Sequence, residues 1–400
     1  MSDDFWPGDH RAGDHFTQDT FREAMTAVEV VWLAALVRHG IAPASAEVDL
    51  GDLLEPDHED YLAEETDAGG NPVIGLVSLL RSALEDEEPD AARWLHRGLT
   101  SQDVLDTAIM LMAQDAVGQL QSEIRGQAER LAALAMKHRG TVMVARTLTQ
   151  HAVPTTFGLK VAQWLTGVLD AYDGLAALSF PVQIGGAAGT GAAVAELGAD
   201  PTTLIAEVGQ ELGLDPAVPW HTVRTPITRL ADALVACTDA WGHLASDVLI
   251  LSRPEIGELS EGSGGGSSTM PDKHNPVLSV LIRRTAITTP QLAATLHLTA
   301  ALQVDERADG AWHAEWATLR DLVRRTLVAA SHAFDLAAEL QVHTDRMTQT
   351  LGSARGTVLA EQRTMAELAG HTPMAAYVGE AGTFVDAAVD RARRTFEAPA

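Results

Sequence analysis

The 400-residue chain is strongly acidic: 28 lysines and arginines face 55 aspartates and glutamates, a formal net charge of −27 at pH 7. Nucleic acids and anionic membrane surfaces are bound by clustered cations, so neither kind of partner is expected. The single cysteine, Cys237, excludes an internal disulfide and any metal site built from several cysteines. With no signal-peptide pattern and no apolar run of about 18 residues, the sequence predicts a cytoplasmic protein.

In chain order, residues 1–103 are expected to form an N-terminal domain of short helices, interrupted by Gly and Pro around residues 56–72. Residues 104–344 have a different pattern, in which apolar side chains such as Leu105, Ile109 and Met112 recur at three- or four-residue steps. This periodicity predicts five long helices, at 104–138, 154–177, 226–252, 276–303 and 312–342. Lengths near 30 residues favour an elongated bundle over a compact all-α domain, since the average helix has about 11–12 residues. Residues 345–400 are expected to form a short C-terminal helical domain.

A glycine-rich loop before the fourth long helix carries the clearest chemical signal. It reads Gly266-Ser267-Ser268-Thr269-Met270-Pro271-Asp272-Lys273-His274-Asn275-Pro276. Asn275 is a plausible N-cap and Pro276 suits the first helical position. Backbone amides, the helix dipole and Lys273 would together attract a carboxylate. A simple Gly/Ser linker does not explain the ordered second half of the loop, and a phosphate-binding P-loop would need Gly-Lys-Ser/Thr after a strand.

Other segments could imitate functional motifs. Gly185–Gly191 lacks the dinucleotide-binding order of glycines and is interpreted as a bend between helices. His313 and Glu315 resemble half of a zinc-deaminase motif, but the cysteine half is missing. The Asp-His pairs at residues 9–10 and 14–15 lack further clustered ligands. No metal and no cofactor are therefore predicted.

Three motifs, in order along the chain, resemble the three signature regions of the fumarase/aspartase superfamily. They are the loop at 266–276, the segment His96-Arg-Gly-Leu-Thr100-Ser101-Gln102-Asp103, and the segment Thr147-Leu148-Thr149-Gln150-His151-Ala-Val-Pro154-Thr-Thr-Phe-Gly158. The resemblance implies an all-α, three-domain fold around a central bundle of five long helices. It also implies a homotetramer in which each active site combines the three regions from three different subunits.

The resemblance also implies roles for individual residues. Ser267 falls on the position of the base that removes a proton alpha to a carboxylate. Substrate-binding positions implied by the three regions are Thr100, Ser101, Gln102, Thr147, Gln150, Ser268, Met270, Lys273 and Asn275. Because the chain is so acidic, a polyanionic substrate needs cations concentrated at the site, and Arg307, Arg224 and Arg11 are predicted to join Lys273 there.

Departures from the superfamily narrow the expected reaction. Other members of the superfamily usually have a histidine directly after the first threonine of the second region, and this chain has Leu148 there. The glutamate that partners this histidine is replaced by Val280. His151 stands where other branches have aspartate or proline. A histidine there resembles the 3-carboxy-cis,cis-muconate cycloisomerase branch, as do Asp305-Glu306-Arg307 and Trp312-His313-Ala-Glu315-Trp316. His151 is therefore predicted to be an acid/base residue; the alternative is a helix-start histidine that binds a neighbouring carbonyl.

The predicted activity is lactonisation of 3-carboxy-cis,cis-muconate, a small polycarboxylate of protocatechuate degradation in the β-ketoadipate pathway, by proton transfer alpha to a carboxylate. One alternative is a fumarate-releasing C–N or C–O lyase, of adenylosuccinate type or from specialised metabolism. A second is a non-catalytic structural homologue. Only 15 residues separate Glu361 from Tyr377, which predicts a shortened C-terminal domain compared with such cycloisomerases.

Overall fold

A computed structural model describes residues 3–53, 58–262, 265–266, 269–270 and 273–397. The N-terminal part consists of short helices, as predicted. They are α1 (Gln18–Arg38), α2 (Glu59–Gly69), α3 (Pro72–Leu84) and α4 (Pro89–Trp94), with 3-10 turns at Asp9–Ala12, Ala44–Ala46 and Gly51–Leu53. Local chemistry sets their beginnings: the Asn71 side chain accepts the amide of Val73, and Pro72 occupies the first turn of α3.

Five long helices dominate the fold, and each predicted segment agrees with one of them to within about three residues at either end. They are α5 (Ser101–Lys137), α6 (Phe157–Ala176), α9 (Thr225–Leu251), α10 (Val277–Ala301) and α11 (Gly310–Glu339). Apolar periodicity explains this agreement, because each helix buries one stripe against its neighbours in the bundle. The predicted all-α class is confirmed.

The remaining elements are short. Helices α7 (Ala192–Glu196) and α8 (Pro201–Glu211) connect α6 to α9, and α12 (Thr344–Val358), α13 (Ala360–Leu368) and α14 (Ala381–Phe396) follow the bundle. Strands β1 (Val142–Thr147) and β2 (Gln150–Thr156) form an antiparallel hairpin, and β3 (Leu259–Ser260) pairs with β4 (Gln341–Val342). The hairpin was not predicted. Residues 154–156 belong to β2 and not, as the sequence predicted, to α6. Helix α6 begins at Phe157 because Thr156 is its N-cap and accepts the amide of Leu159.

A single large hydrophobic core extends through the predicted domain boundaries. Trp32 of α1, Trp164 of α6, Trp241 of α9 and Val385 of α14 all belong to it. The boundaries at residues 103 and 344 therefore stay a prediction. Helix α9 is long and apolar enough to cross a membrane, but half of its apolar window is buried inside the fold. Cys237 lies fully buried in α9, and burial raises the pKa of its thiol to about 12.

The long helices place the two ends of the bundle far apart. At the Thr100 end, the beginning of α5 meets the beginnings of α9 and α11, where Arg224 contacts both Asp106 and Glu315. At the hairpin end, the β1–β2 hairpin follows α5, and the glycine-rich loop connects α9 to α10. A helix of 37 residues is about 55 Å long at ~1.5 Å per residue. The first signature region is thus separated from the other two within one chain.

Candidate active site

At the Thr100 end, two residues predicted to bind substrate are brought together. Thr100 is the N-cap of α5, and its amide donates to Asp103 Oδ2 over 2.9 Å in a capping box. The Arg307 Nη2 donates to Thr100 Oγ1 over 2.5 Å, although the two residues are 207 positions apart. Ser101, half-buried, lines an adjacent cavity of about 760 Å³ with Arg81 and His96. This part of the predicted site is assembled within one chain.

A buried carboxylate holds this end of α5 in place. Asp103 accepts the backbone amides of Gly185 and Gly186, each over 2.9 Å, and the side-chain amide of Gln183 over 3.1 Å. The His221 Nε2 lies 3.2 Å from the same carboxylate. The segment Gly185–Gly191 is therefore a bend that lies over the beginning of α5. Gly186 has a φ of 71°, which glycine adopts without the steric cost other residues meet.

Arg224 does not act as the free substrate cation that was predicted. Its side chain is fully buried between two carboxylates, 2.6 Å from Asp106 and 2.7 Å from Glu315. Burial raises the pKa of the Glu315 carboxyl, and the charge of Arg224 opposes that shift. The Arg224 guanidinium neutralises both carboxylates and has no charge left for a substrate. Through these two ion pairs it connects α9 to α5 and α11.

Gln102 and Arg11 also differ from their predicted positions. Gln102 is fully buried, and its Nε2 donates to Asp106 over 3.0 Å and to the carbonyl of His221 over 2.8 Å. It belongs to the buried network and not to an open substrate surface. Arg11 pairs with Asp335 at 2.7 Å, near the end of α11 (Gly310–Glu339) that is remote from Thr100. Arg11 and Asp335 are both partly exposed, and the predicted role of Arg11 in substrate binding stays a prediction.

At the hairpin end, the tip of the hairpin presents its side chains to solvent. Thr147, Thr149 and Gln150 are exposed, and Leu148 is 96% exposed. Leu148 and Thr149 have φ values of 47° and 67°, the left-handed conformation that two-residue hairpin loops usually fill with Asn-Gly. An exposed leucine in a strained turn is typical of a surface that meets another molecule.

His151 lies in β2, opposite Arg146 in the hairpin register, and helix α6 begins only at Phe157. The alternative of a helix-start histidine is therefore wrong. The His151 side chain is exposed and lines a cavity of about 630 Å³ between the hairpin, the end of α9 and α12. The β-branched residues Val142, Val144, Thr155 and Thr156 were the signal that could have predicted these strands.

The two ends of the glycine-rich loop are paired with each other. Gly265 pairs with Asn275 in an antiparallel bridge, with N···O distances of 2.9 and 2.8 Å in the two directions. Asn275 Nδ2 donates to the carbonyl of Gly266 over 3.3 Å, so the loop closes on itself. Lys273 is exposed and Met270 is 50% exposed. Ser267 and Ser268 lie outside the described residues.

The predicted N-cap of α10 is wrong. Helix α10 begins at Val277, and Glu261, not Asn275, satisfies its first amides. The Glu261 carboxylate accepts the amides of Leu278 and Ser279 over 3.0 and 2.7 Å and the Ser279 hydroxyl over 2.6 Å. A carboxylate supplied by the chain itself thus occupies the helix N-terminus that was expected to attract substrate. Glu261 precedes Leu278 by 17 positions, so no local pattern indicated the contact.

Comparison with known proteins agrees with this geometry. The profile of a family described as "Lyase" matches residues 52–289. The chain belongs to the fumarase/aspartase superfamily of lyases. Nitrosuccinate lyase of Streptomyces davaonensis is 42% identical over 352 residues, covering 85% of this chain and 74% of that protein. The 3-carboxy-cis,cis-muconate cycloisomerase of Bradyrhizobium diazoefficiens is 41% identical over 313 residues, covering 76% of this chain and 68% of that protein.

A solved structure supports the same conclusion. The 3-carboxy-cis,cis-muconate lactonizing enzyme of Pseudomonas putida superposes with a TM-score of 0.85 at 28% identity, covering 95% of this chain and 98% of that one. The protein is thus an enzyme of the fumarase/aspartase superfamily. Among the residues that the structure describes, no group of three or more His, Cys, Asp or Glu side chains could hold a metal ion.

Proposed function

We propose that this superfamily enzyme lactonises 3-carboxy-cis,cis-muconate. The observation that carries the proposal is the placement of His151: an exposed histidine on a paired strand, lining a cavity of about 630 Å³. Histidine exchanges protons near neutral pH, as acid/base catalysis requires. The usual superfamily histidine and glutamate positions hold Leu148 and Val280, which are exposed and cannot transfer a proton. The similarity to muconate cycloisomerases supports the same reaction.

The proposed reaction is an isomerisation that needs no external reactant. A carboxylate oxygen of the substrate bonds to one carbon of a conjugated double bond, and the electron pair moves towards another carboxylate as an aci-carboxylate. The carbon alpha to that carboxylate then takes up a proton. His151 and Ser267 handle the proton, while Lys273 and Asn275 stabilise the charge that develops on the carboxylate.

We also propose that the active site forms in a homotetramer. Thr100 and the β1–β2 hairpin lie at opposite ends of α5, about 55 Å apart. Within one chain, Thr100 and the hairpin are therefore too far apart to contact the same small substrate. Subunits packed side by side in opposite directions would place the Thr100 end of one copy beside the hairpin end of another.

An exposed apolar stripe on α10 supports this assembly. Val280 is 51% exposed, and Ile287 and Leu298 are each 63% exposed. Their spacing of 7 and 11 residues places all three on one face of the helix. Exposed apolar side chains on one face of a central helix indicate a surface that other copies of the chain cover.

A second reaction is favoured by one observation, the 42% identity to a nitrosuccinate lyase. Elimination from a nitrosuccinate breaks a C–N bond beta to a carboxylate and releases fumarate. Its first step, removal of a proton alpha to a carboxylate, is the reverse of the protonation proposed above. The same Ser267, Lys273 and Asn275 would serve both reactions.

Two assays on the full-length enzyme decide between these reactions. With 3-carboxy-cis,cis-muconate, the conjugated diene absorbance should disappear without release of fumarate. With nitrosuccinate, elimination would produce nitrite and fumarate, each measurable directly. Turnover of nitrosuccinate alone would replace the cycloisomerase proposal with the elimination.

Ser267→Ala and His151→Ala should each lower turnover by at least about 100-fold, the contribution expected of an acid/base group. His371→Ala, which changes an exposed histidine outside the cavity, is the control and should keep full activity. Mixing the two inactive variants should restore activity in hybrid tetramers, because some shared sites then contain both intact residues. Full activity in both single variants would disprove the assigned roles, and no recovery in hybrids would disprove the shared site.

A further inference from the structure

The cavity beside His151 has a local charge that is opposite to that of the whole chain. Four cations line it, together with two carboxylates, in a protein whose acidic residues outnumber its cations almost twofold. The cations are Arg146, Lys160, Arg253 and Arg346, and the carboxylates are Asp247 and Glu255. Its volume of about 630 Å³ lies within the usual range of small-molecule sites, about 300–1,000 Å³. This cavity therefore favours an anionic ligand.

Two of the four cations are neutralised within the fold. Arg146 makes a two-point contact with the buried Glu258, at 2.9 and 3.0 Å. The Lys160 Nζ lies 3.0 Å from Asp247, which also accepts the indole N–H of Trp164. These pairs brace β1 and α6 against α9 and the segment that follows it. They leave little charge to attract a ligand.

The other two cations keep their charge available. Arg346 donates from Nε and Nη2 to the carbonyl of Ile256, at 3.2 and 3.1 Å, and from Nη1 to Gln349 Oε1 at 3.0 Å. A guanidinium has five N–H bonds, so two remain for a ligand. These neutral contacts also hold the group still, which lowers the entropy lost on binding. Within the described part of the chain, the exposed Arg253 has no carboxylate at salt-bridge distance.

We propose that Arg253 and Arg346 form a carboxylate-binding subsite that selects tricarboxylate substrates over succinate-type dicarboxylates. The inference rests on the proposed function, because it takes His151, which lines the same cavity, as the proton-transferring group. A substrate with its reacting carbon at His151 can place a further carboxylate on the two arginines. A four-carbon dicarboxylate has no third carboxylate to place there.

Binding of unreactive probes tests the subsite without relying on turnover. The full-length protein carrying Ser267→Ala is titrated calorimetrically with tricarballylate, succinate and inorganic phosphate, alone and with Arg253→Gln or Arg346→Gln added. Arg394→Gln, an exposed arginine on α14 outside the cavity, is the matched control. Arg253→Gln changes a side chain that forms no ion pair with the described residues, so the fold of this variant should be unaffected.

Each cavity substitution should weaken tricarballylate binding by about tenfold, the loss expected for one charge-assisted hydrogen bond, and change succinate binding by less than about twofold. Unchanged tricarballylate affinity in both variants would overturn the subsite. So would an equal loss for succinate, or tighter binding of phosphate than of tricarballylate. Turnover of 3-carboxy-cis,cis-muconate is measured separately on the enzyme with Ser267 intact, so failure of the proposed reaction is seen independently of the binding result.

Discussion

Replacing Arg224 with methionine should destabilise the folded chain by about 3–5 kcal/mol, the range for removing one partner of a buried ion pair. Methionine can fill much of the space, but Asp106 and Glu315 would keep their buried charges without the guanidinium. Asp106 would retain donors from Gln102 at 3.0 Å and Trp312 at 3.1 Å. Among the described residues, Glu315 would keep only the long contacts to Gln303 and Thr299, of 3.4 and 3.5 Å, so most of the loss arises there.

The loss should depend on pH. Burial already raises the pKa of Glu315, and removal of Arg224 removes the charge that opposes this shift. A carboxyl whose pKa is higher in the folded than in the unfolded state binds more protons when folded, so stability falls as pH rises above the unfolded value of about 4.3. The variant should therefore be closer to wild-type stability at pH 5 than at pH 8.

Urea unfolding followed by far-UV circular dichroism, at one protein concentration and at both pH values, measures this loss. Arg320→Met is the matched control on α11, because the side chain of Arg320 is about half exposed and pairs with its neighbour Asp321. Its removal should cost less than about 1 kcal/mol. Adding Glu315→Leu to Arg224→Met should recover part of the loss. A loss below about 1 kcal/mol at pH 8, or a larger loss at pH 5, would refute the reasoning.

Two further predictions concern packing and pH. Gly158→Ala should destabilise by about 1–3 kcal/mol, since the added Cβ would lie 2.7 Å from three backbone atoms. Gly118→Ala, in open space on α5, should be neutral or stabilising by up to about 1 kcal/mol; equal effects in urea unfolding would contradict this. Burial lowers the pKa of His332 to about 4, so the unfolded chain binds a proton that the folded chain rejects below about pH 6.5. Between pH 6.5 and 4, wild-type stability should fall by up to about 3 kcal/mol more than that of His332→Gln, and parallel pH profiles would count against it.

Much of the fold could be predicted because the relevant information is local. The apolar spacing of Leu105, Ile109 and Met112 identifies a helix without knowledge of any other segment. The hairpin was missed because its strands are short and a proline lies in β2, where helix initiation by Pro154 was the competing interpretation. Ladder pairing with β1, and the cap provided by Thr156, determined the outcome.

In the candidate site, too, short motifs identified some residues, and the roles of others depended on tertiary contacts. Thr100 and Lys273 could be singled out from motifs of a few residues, and so could the importance of His151. The structure brings Arg307 to Thr100, and both residues were predicted to bind substrate. Arg224 has the same charge as Arg307, and composition cannot distinguish a cation that binds substrate from one that neutralises Asp106 and Glu315.

The sequence by itself determined the long helices, the order of the three signature regions and the acidic surface, because periodicity, short motifs and residue counts do not depend on distant contacts. Only the tertiary structure decided which charges are neutralised. It placed Glu261 on the first amides of α10 and, among the residues that the structure describes, gave Arg253 and Arg346 no carboxylate partner beside His151. The physical reason is that an ion pair forms wherever packing brings two side chains together, and that packing depends on the whole bundle.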